Sequence, residues 1–448
     1  MVPGNRVLLR GPNNPWLVAA WFGVLKAGGV AVTTMPLLRA GELQTVGEIA
    51  VVKHAICDHR FVDDLEGAAI PGLVTLLYGN STQNDLTTLA AGKPADFENV
   101  ATAADDVCLL AFTSGTTGRP KATMHFHRDV LAIADTFSRH VLRPMPEDLL
   151  TGSPPLAFTF GLGQSVVFPL HAGAATFLME QPSPARLLEA VERHRITVLA
   201  TAPTAYRAMV PNLGAADIGS LRACVSAGET LPKATWDAVH EASGIRIIDG
   251  IGSTELLHIF ISAAGKDIRP GSTGRAVPGY IAEVQDPDGR PAPDGQLGRL
   301  AVKGPTGCRY LRGDRQTTYV RDGWNITGDV YVRDSDGYFH YQARADDMII
   351  SAGYNIAGPE VEEALLRHPA VAEAAVVGAP DEERGMIVKA VVVLRAGAAL
   401  GPEPAKALQD FVKGEIAPYK YPRAIEFTDG LPRTATGKLQ RFRLREEN

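Results

Sequence analysis

The chain has 448 residues, 45% of them hydrophobic and 21% charged, a globular composition with room for two or three domains around a large core. A net charge of -6, with Lys and Arg scattered rather than massed, excludes the basic stripe of a nucleic-acid binder. Apolar stretches fall short of the roughly 18 to 20 residues of a membrane span, the start Met1-Val2-Pro3-Gly4-Asn5-Arg6 lacks a signal peptide's apolar segment, and the four cysteines have no metal-ligand spacing, so no membrane association and a reducing, cytoplasmic setting are expected.

In chain order, Val7-Leu8-Leu9 reads as a strand, and an apolar helical run from Val18 passes through Gly28-Gly29 into the strand Val30-Ala31-Val32. Behind the apolar run Val107 to Phe112 comes Thr113-Ser114-Gly115-Thr116-Thr117-Gly118-Arg119-Pro120-Lys121-Ala122. Glycines at 115 and 118 allow backbone angles that aim successive N–H groups at one anion, while the hydroxyls and Lys121 add donors and charge. The glycine spacing and Pro120 exclude a Walker A loop. A polar surface loop is the ordinary alternative; the strand before it and the motifs that follow favour phosphate binding. His125-Phe126-His127 lacks a third ligand and reads as strand or loop rather than metal site.

From 183 to 255 the pattern is β-α-β-α-β. Ser183-Pro184 opens a helix, strands follow at Ile196 to Ala200 and Leu221 to Val225, a helix spans about Lys233 to Ala242, and the strand Ile245 to Ile248 runs into Asp249-Gly250. Crossover helices imply a parallel sheet, whose ligands bind beyond the carboxyl ends of the strands. There lie Ser226-Ala227-Gly228-Glu229 and Gly252-Ser253-Thr254-Glu255, where Glu255 suits a Mg²⁺ beside a polyphosphate unless it only follows a helix N-cap. After about Gly271, short alternating strands between Asp-Gly turns read as an antiparallel subdomain. Thr327-Gly328-Asp329 is expected between two of those strands, with Asp329 placed to accept ribose hydroxyls or to serve as a turn residue. Beyond Arg344 a small α+β unit begins, closing on Pro432-Arg433-Thr434-Ala435-Thr436-Gly437-Lys438.

These ordered motifs resemble the adenylate-forming superfamily of acyl-CoA synthetases, luciferases and peptide-synthetase adenylation domains, across almost the whole chain. The fold class expected is α/β. A large N-terminal AMP-binding domain would cover 1–343 (α/β subdomains 1–270, β subdomain 271–343), followed by a hinge at 344–348 around Asp346 and a small mobile α+β domain at 349–448. The resemblance implies a two-step reaction: a carboxylate attacks the α-phosphate of MgATP to give an acyl-AMP and pyrophosphate, then the small domain rotates and a thiol displaces AMP. By position, Thr113, Ser114, Gly115, Thr116, Thr117, Gly118 and Lys121 would hold the β- and γ-phosphates. Thr254 and Glu255 would serve phosphate and Mg²⁺, Asp329 and Arg344 the ribose, and Gly228, Asp249, Gly250 and Ile251 the adenine slot. Lys438 would stand between the substrate carboxylate and the α-phosphate, and Gly353 would line the thiol's tunnel. Many relatives have an aromatic residue at the position of Ile251.

The segments Ser153-Pro154-Pro155-Leu156-Ala157-Phe158-Thr159-Phe160-Gly161 and Asp249 to Phe260 resemble the benzoate-CoA ligase branch, most of all 2-aminobenzoate-CoA ligases. On that likeness Thr159, Phe160, Ala227, Gly252, His258 and Ile259 would enclose an aryl ring, with Thr159 and His258 meeting an ortho amino or hydroxyl group. His258, three residues after Glu255, is expected on a helix, and Phe160 has core packing as its ordinary alternative. The expectation is an ATP-dependent, AMP-forming acid-thiol ligase making an aryl-CoA, with ATP, CoA and an aromatic carboxylic acid as partners and Mg²⁺ as cofactor. Two other readings stay open: an enzyme that loads a carrier-protein thiol, and a non-catalytic binding protein, the latter because relatives usually carry several tens of residues before this start. Lys438 sits in a proline, four residues, glycine, lysine pattern that resembles the site acyl-CoA ligases present to lysine acetyltransferases. Oligomeric state is left open, a homodimer being one option.

Overall fold

The computed structural model describes residues 2–79, 85–113, 120–313, 315–351, 354–381, 384–397, 401–434 and 439–446. A six-stranded sheet comes first, in the order Val74–Tyr78, His54–Asp58, Arg6–Arg10, Val30–Thr34, Val107–Thr113, Lys121–Phe126. All neighbours are parallel except the last pair, which is antiparallel with Thr113 opposite Lys121. Asn14 caps the helix Pro15–Lys26 by accepting from the Leu17 N–H, and that helix buries Leu17, Ala20, Trp21 and Val24. The second sheet contains the parallel run Val198–Thr201, Ala223–Ser226, Ile248–Gly252, as the β-α-β-α-β pattern requires. Ser183 caps its first crossover helix, Pro184–His194. One apolar core joins residues of both sheets, including Leu9, Leu109, Phe137, Leu199 and Val225.

An antiparallel sheet follows, in which Leu297–Lys303 and Phe339–Arg344 both pair with Trp324–Arg333. The C-terminal unit has its own core of Ile349, Val361, Leu365, Val376, Val388, Val392, Leu408 and Val412, beneath the strands Val371–Asp381, Gly385–Leu394 and Ala424–Phe427. Among the described residues no helix is long and apolar enough to cross a membrane.

Three local expectations are corrected. Asp249 lies inside the strand Ile248–Gly252 rather than beyond it, and Asp329 lies inside Trp324–Arg333 rather than between strands. Both positions continue hydrogen-bonded ladders that polar and glycine residues concealed. His258 is not helical. Ser253 begins a turn as a helix cap does, its hydroxyl accepting from the Leu256 N–H at 3.2 Å, but buried Leu257 takes φ 69° and the chain leaves as the strand Ile259–Ser262. A left-handed leucine is costly and persists only where its surroundings over-determine it.

Candidate active site

Lys121, at the start of its strand, pairs across the ladder with Thr113, so the two ends of the predicted phosphate turn are adjacent in space. Ser114, Gly115, Thr116, Thr117 and Gly118 lie outside the described residues, as do Gly353 and Lys438; Asp346 is described by its backbone alone, in the turn Ala345–Asp347. Burial and the nearby Arg315 guanidinium lower the Lys121 pKa, and Glu255 acts the other way. Glu255 is half-buried, and its Oε1 accepts a 2.7 Å hydrogen bond from the Tyr310 hydroxyl. Burial and the Glu255 carboxylate hold the Tyr310 phenol well above its ordinary value, so it stays protonated and donates. Thr254 sits in the same turn, next to the buried His125, whose ring is held down to about 4 by burial while the Thr254 backbone acts the other way.

The residues expected at the nucleotide continue along the sheets. Ser226 and Asp249 are register partners on adjacent parallel strands, which brings Ala227 and Gly228 beside Asp249, Gly250 and Ile251. Asp249 Oδ1 is buried with no hydrogen-bond partner among the described residues, and burial pushes the carboxyl up to about 8. Asp249 opens onto a cleft that Trp236, Arg269 and Thr273 also line. Asp329 and Arg344 are cross-strand partners joined by a 2.9 Å ion pair. A Cβ at Gly328 would lie 2.3 Å from the Arg344 guanidinium, so a side chain there would require the arginine to shift from the position in which it reaches Asp329.

The predicted aryl-pocket residues form a different environment. Gly252 and Ile259 pair across the antiparallel ladder, Thr159 and Ala227 are buried, and Phe160 is half-buried. His258 is 2% exposed, with ring centroids of Phe168, Phe137 and Phe160 at 4.6, 5.3 and 5.8 Å. Neither Nδ1 nor Nε2 has a well-formed hydrogen bond among the described residues; burial pushes the ring down to about 3, the Phe160 backbone acting the other way, so the imidazole is neutral. A Cβ at Gly163 would fall 2.4 Å from the His258 ring; the missing side chain makes room for the imidazole.

Sequence reasoning missed Tyr310, Arg315 and the buried Gln164. Gln164 follows Phe160 by one helical turn, and both of its amide atoms lack partners among the described residues. The Phe160 to Gln164 spacing was a usable signal. Nothing near Glu255 in sequence marks Tyr310, which lies 55 positions away.

The AMP-binding enzyme family matches residues 1–310, and the AMP-binding enzyme C-terminal domain matches 360–438. The chain belongs to the AMP-binding enzyme family. The benzoate-CoA ligase of Thauera aromatica is 37% identical over 99% of this chain and 86% of its own length. A crystal structure of the anthranilate CoA ligase AuaEII in complex with anthranoyl-AMP superposes with a TM-score of 0.94 at 34% identity, covering 100% of this chain and 88% of that one. A benzoate CoA ligase from Burkholderia xenovorans LB400 gives a TM-score of 0.91 at 34% identity, covering 99% and 90%.

Proposed function

We propose that this protein is an ATP-dependent aryl-CoA ligase that activates a benzoate-type acid, 2-aminobenzoate by preference, through an acyl-AMP. The observation that carries the acid preference is His258: a neutral imidazole whose nitrogens have no well-formed hydrogen bond among the described residues, caged by three phenylalanine rings. An unpaired buried donor or acceptor costs about 1 to 3 kcal/mol, and a ring substituent with an N–H or O–H would recover part of that. The likeness to an anthranilate (2-aminobenzoate) CoA ligase and to benzoate-CoA ligases supports the same class of acid.

In the reaction proposed, the acid carboxylate attacks the ATP α-phosphorus, an acyl phosphate bond forms and pyrophosphate leaves; the CoA thiol then attacks the acyl carbon, a thioester forms and AMP leaves. Asp329 would accept the ribose hydroxyls while Arg344 holds it in place, and Asp249 Oδ1 would accept the adenine amine. Thr113, Lys121 and Thr254 would bind the phosphates. Among the described residues no three His, Cys, Asp or Glu side chains gather as a metal cluster. Glu255, beside Lys121, offers one carboxylate oxygen free of hydrogen bonds among the described residues, which fits Mg²⁺, an ion that takes few carboxylates and draws its remaining ligands from phosphates and water. Bound there, Mg²⁺ would neutralise charge on the leaving pyrophosphate. The role proposed for Lys438 is to neutralise charge between the carboxylate and the α-phosphate, so acetylation of that lysine would slow adenylation. Gly353 would leave the thiol its path after a rotation at 344–348, a motion that would separate Arg433 from Glu229, now 3.6 Å apart. The setting proposed is cytoplasmic.

The test is pyrophosphate release with MgATP across benzoate, 2-aminobenzoate, salicylate, 4-hydroxybenzoate and a medium-chain fatty acid, each with and without CoA. Release with aryl acids, and thioester only when CoA is present, is expected; a folded protein that makes no thioester from any substituted benzoate would overturn the proposal.

A further inference from the structure

We infer that Tyr310 is a positioning residue for adenylation: its hydroxyl fixes Glu255 so that one carboxylate oxygen is committed to the protein and the other is presented to the metal-triphosphate. The inference rests on the reading of Glu255 as the Mg²⁺ contact.

Tyr310 is built into place. The segment around it adds to the strand Lys121–Phe126, with the Met124 N–H donating to the Arg309 carbonyl at 2.7 Å and the Leu311 N–H to the Ala122 carbonyl at 2.9 Å. Tyr310 therefore bridges to Thr123, two residues from Lys121. Two side-chain amides lock this segment from behind. Gln316 accepts from the Tyr310 N–H and donates to the Cys308 carbonyl, both at 2.9 Å; Asn325 accepts from the Cys308 N–H at 2.8 Å and donates to the Val302 carbonyl at 3.0 Å. The phenol is 7% exposed, its ring meets Tyr319 edge-on at 5.9 Å, and the Arg315 guanidinium stands 6.0 Å from both rings.

The consequence is directional. A glutamate in a glycine-rich turn has three free torsions, and a lone carboxylate at the end of them would sample many orientations. Tyr310 removes that freedom by binding Oε1, and Oε2 has no hydrogen-bond partner among the described residues. With Lys121 and Arg315 close by, the phosphates meet two cations and one oriented carboxylate.

Partners that orient a metal-binding side chain commonly govern metal affinity by 10- to 100-fold. The test compares wild type with Tyr310→Phe, Gln316→Met and Glu255→Gln, using Mn²⁺ as a paramagnetic probe titrated into protein with α,β-methylene-ATP, alongside the KM for the acid. Tyr310→Phe should weaken Mn²⁺ binding by about tenfold and leave the acid KM and melting temperature near wild type, with Gln316→Met changing in the same direction by less. Weakened metal binding in Glu255→Gln together with wild-type affinity in Tyr310→Phe would overturn the role of Tyr310. Unchanged metal binding in Glu255→Gln would instead remove the Mg²⁺ reading beneath it. Equal losses of metal and acid affinity in Tyr310→Phe would make the residue a packing element only, which also overturns the inference.

Discussion

Around His258, three aromatic rings press on ring nitrogens that have no well-formed hydrogen bond among the described residues; around Glu255 and Asp329, each carboxylate is already held, by the Tyr310 hydroxyl and the Arg344 guanidinium. The two environments are connected by one short stretch of chain, from the strand Ile248–Gly252 through the Leu257 turn to Ile259–Ser262. Under the proposed function, that contrast is how one site would serve two substrates. A nucleotide with fixed charges would be met by groups oriented in advance, so that little reorganisation accompanies the reaction. A neutral ring would be met by apolar walls, with discrimination from polar atoms that only the right substituent completes.

The comparison breaks most visibly on the charged side. Asp329→Ala leaves Arg344 without its cross-strand partner and removes the proposed ribose acceptor, so the KM for ATP should rise by about 30-fold while that for the acid stays near wild type. Steady-state kinetics with each substrate varied separately checks this; a matching rise for the acid would show that the two environments are not separable. On the dry side, His258→Phe fills the same cage without orphaned nitrogens. The preference for 2-aminobenzoate over benzoate should fall by about tenfold, and the melting temperature should hold or rise, because removing unpaired buried polar atoms relieves their desolvation cost. Loss of stability with unchanged acid preference would assign His258 a structural part instead.

A smaller effect sharpens the same contrast through pH. His258 and His125 are held down to about 3 and about 4 from an ordinary 6.5, so below pH 6.5 the unfolded chain takes up protons that the folded rings refuse. Stability therefore falls as pH drops from 6.5 toward 4. Asp249 acts with the opposite sign. Its carboxyl is raised to about 8 from 3.8, the folded protein binds the extra proton inside that window, and its contribution declines as pH rises from 3.8 to 8. Melting curves over pH 5 to 8 should show a shallower acid limb in His258→Phe and a shallower alkaline limb in Asp249→Asn; parallel curves for all three proteins would contradict the burial argument.

The parallel run of the second sheet was legible because strand, crossover helix and cap alternate in plain periodicity from Ser183 onward, whereas most of the expected phosphate turn lies outside the described residues. The order of these motifs carried the family. What escaped had physical reasons. Leu257 at φ 69° breaks a turn that Ser253 starts as a helix cap would, and no side-chain pattern announces a left-handed leucine. Asp329, after Gly328, was expected between strands, whereas it lies inside Trp324–Arg333 opposite Arg344, a pairing that the sequence around it does not mark. Tyr310 meets Glu255 only because its segment joins the edge of the first sheet, a tertiary pairing without local signature.

The most direct measurement is a competition: equimolar 2-aminobenzoate and benzoate with MgATP and limiting CoA, the thioesters separated and AMP counted. Both aryl-CoA products are expected, with 2-aminobenzoyl-CoA in excess and one AMP per thioester. Pyrophosphate release without any aryl thioester, or benzoyl-CoA in excess, would contradict the proposed function.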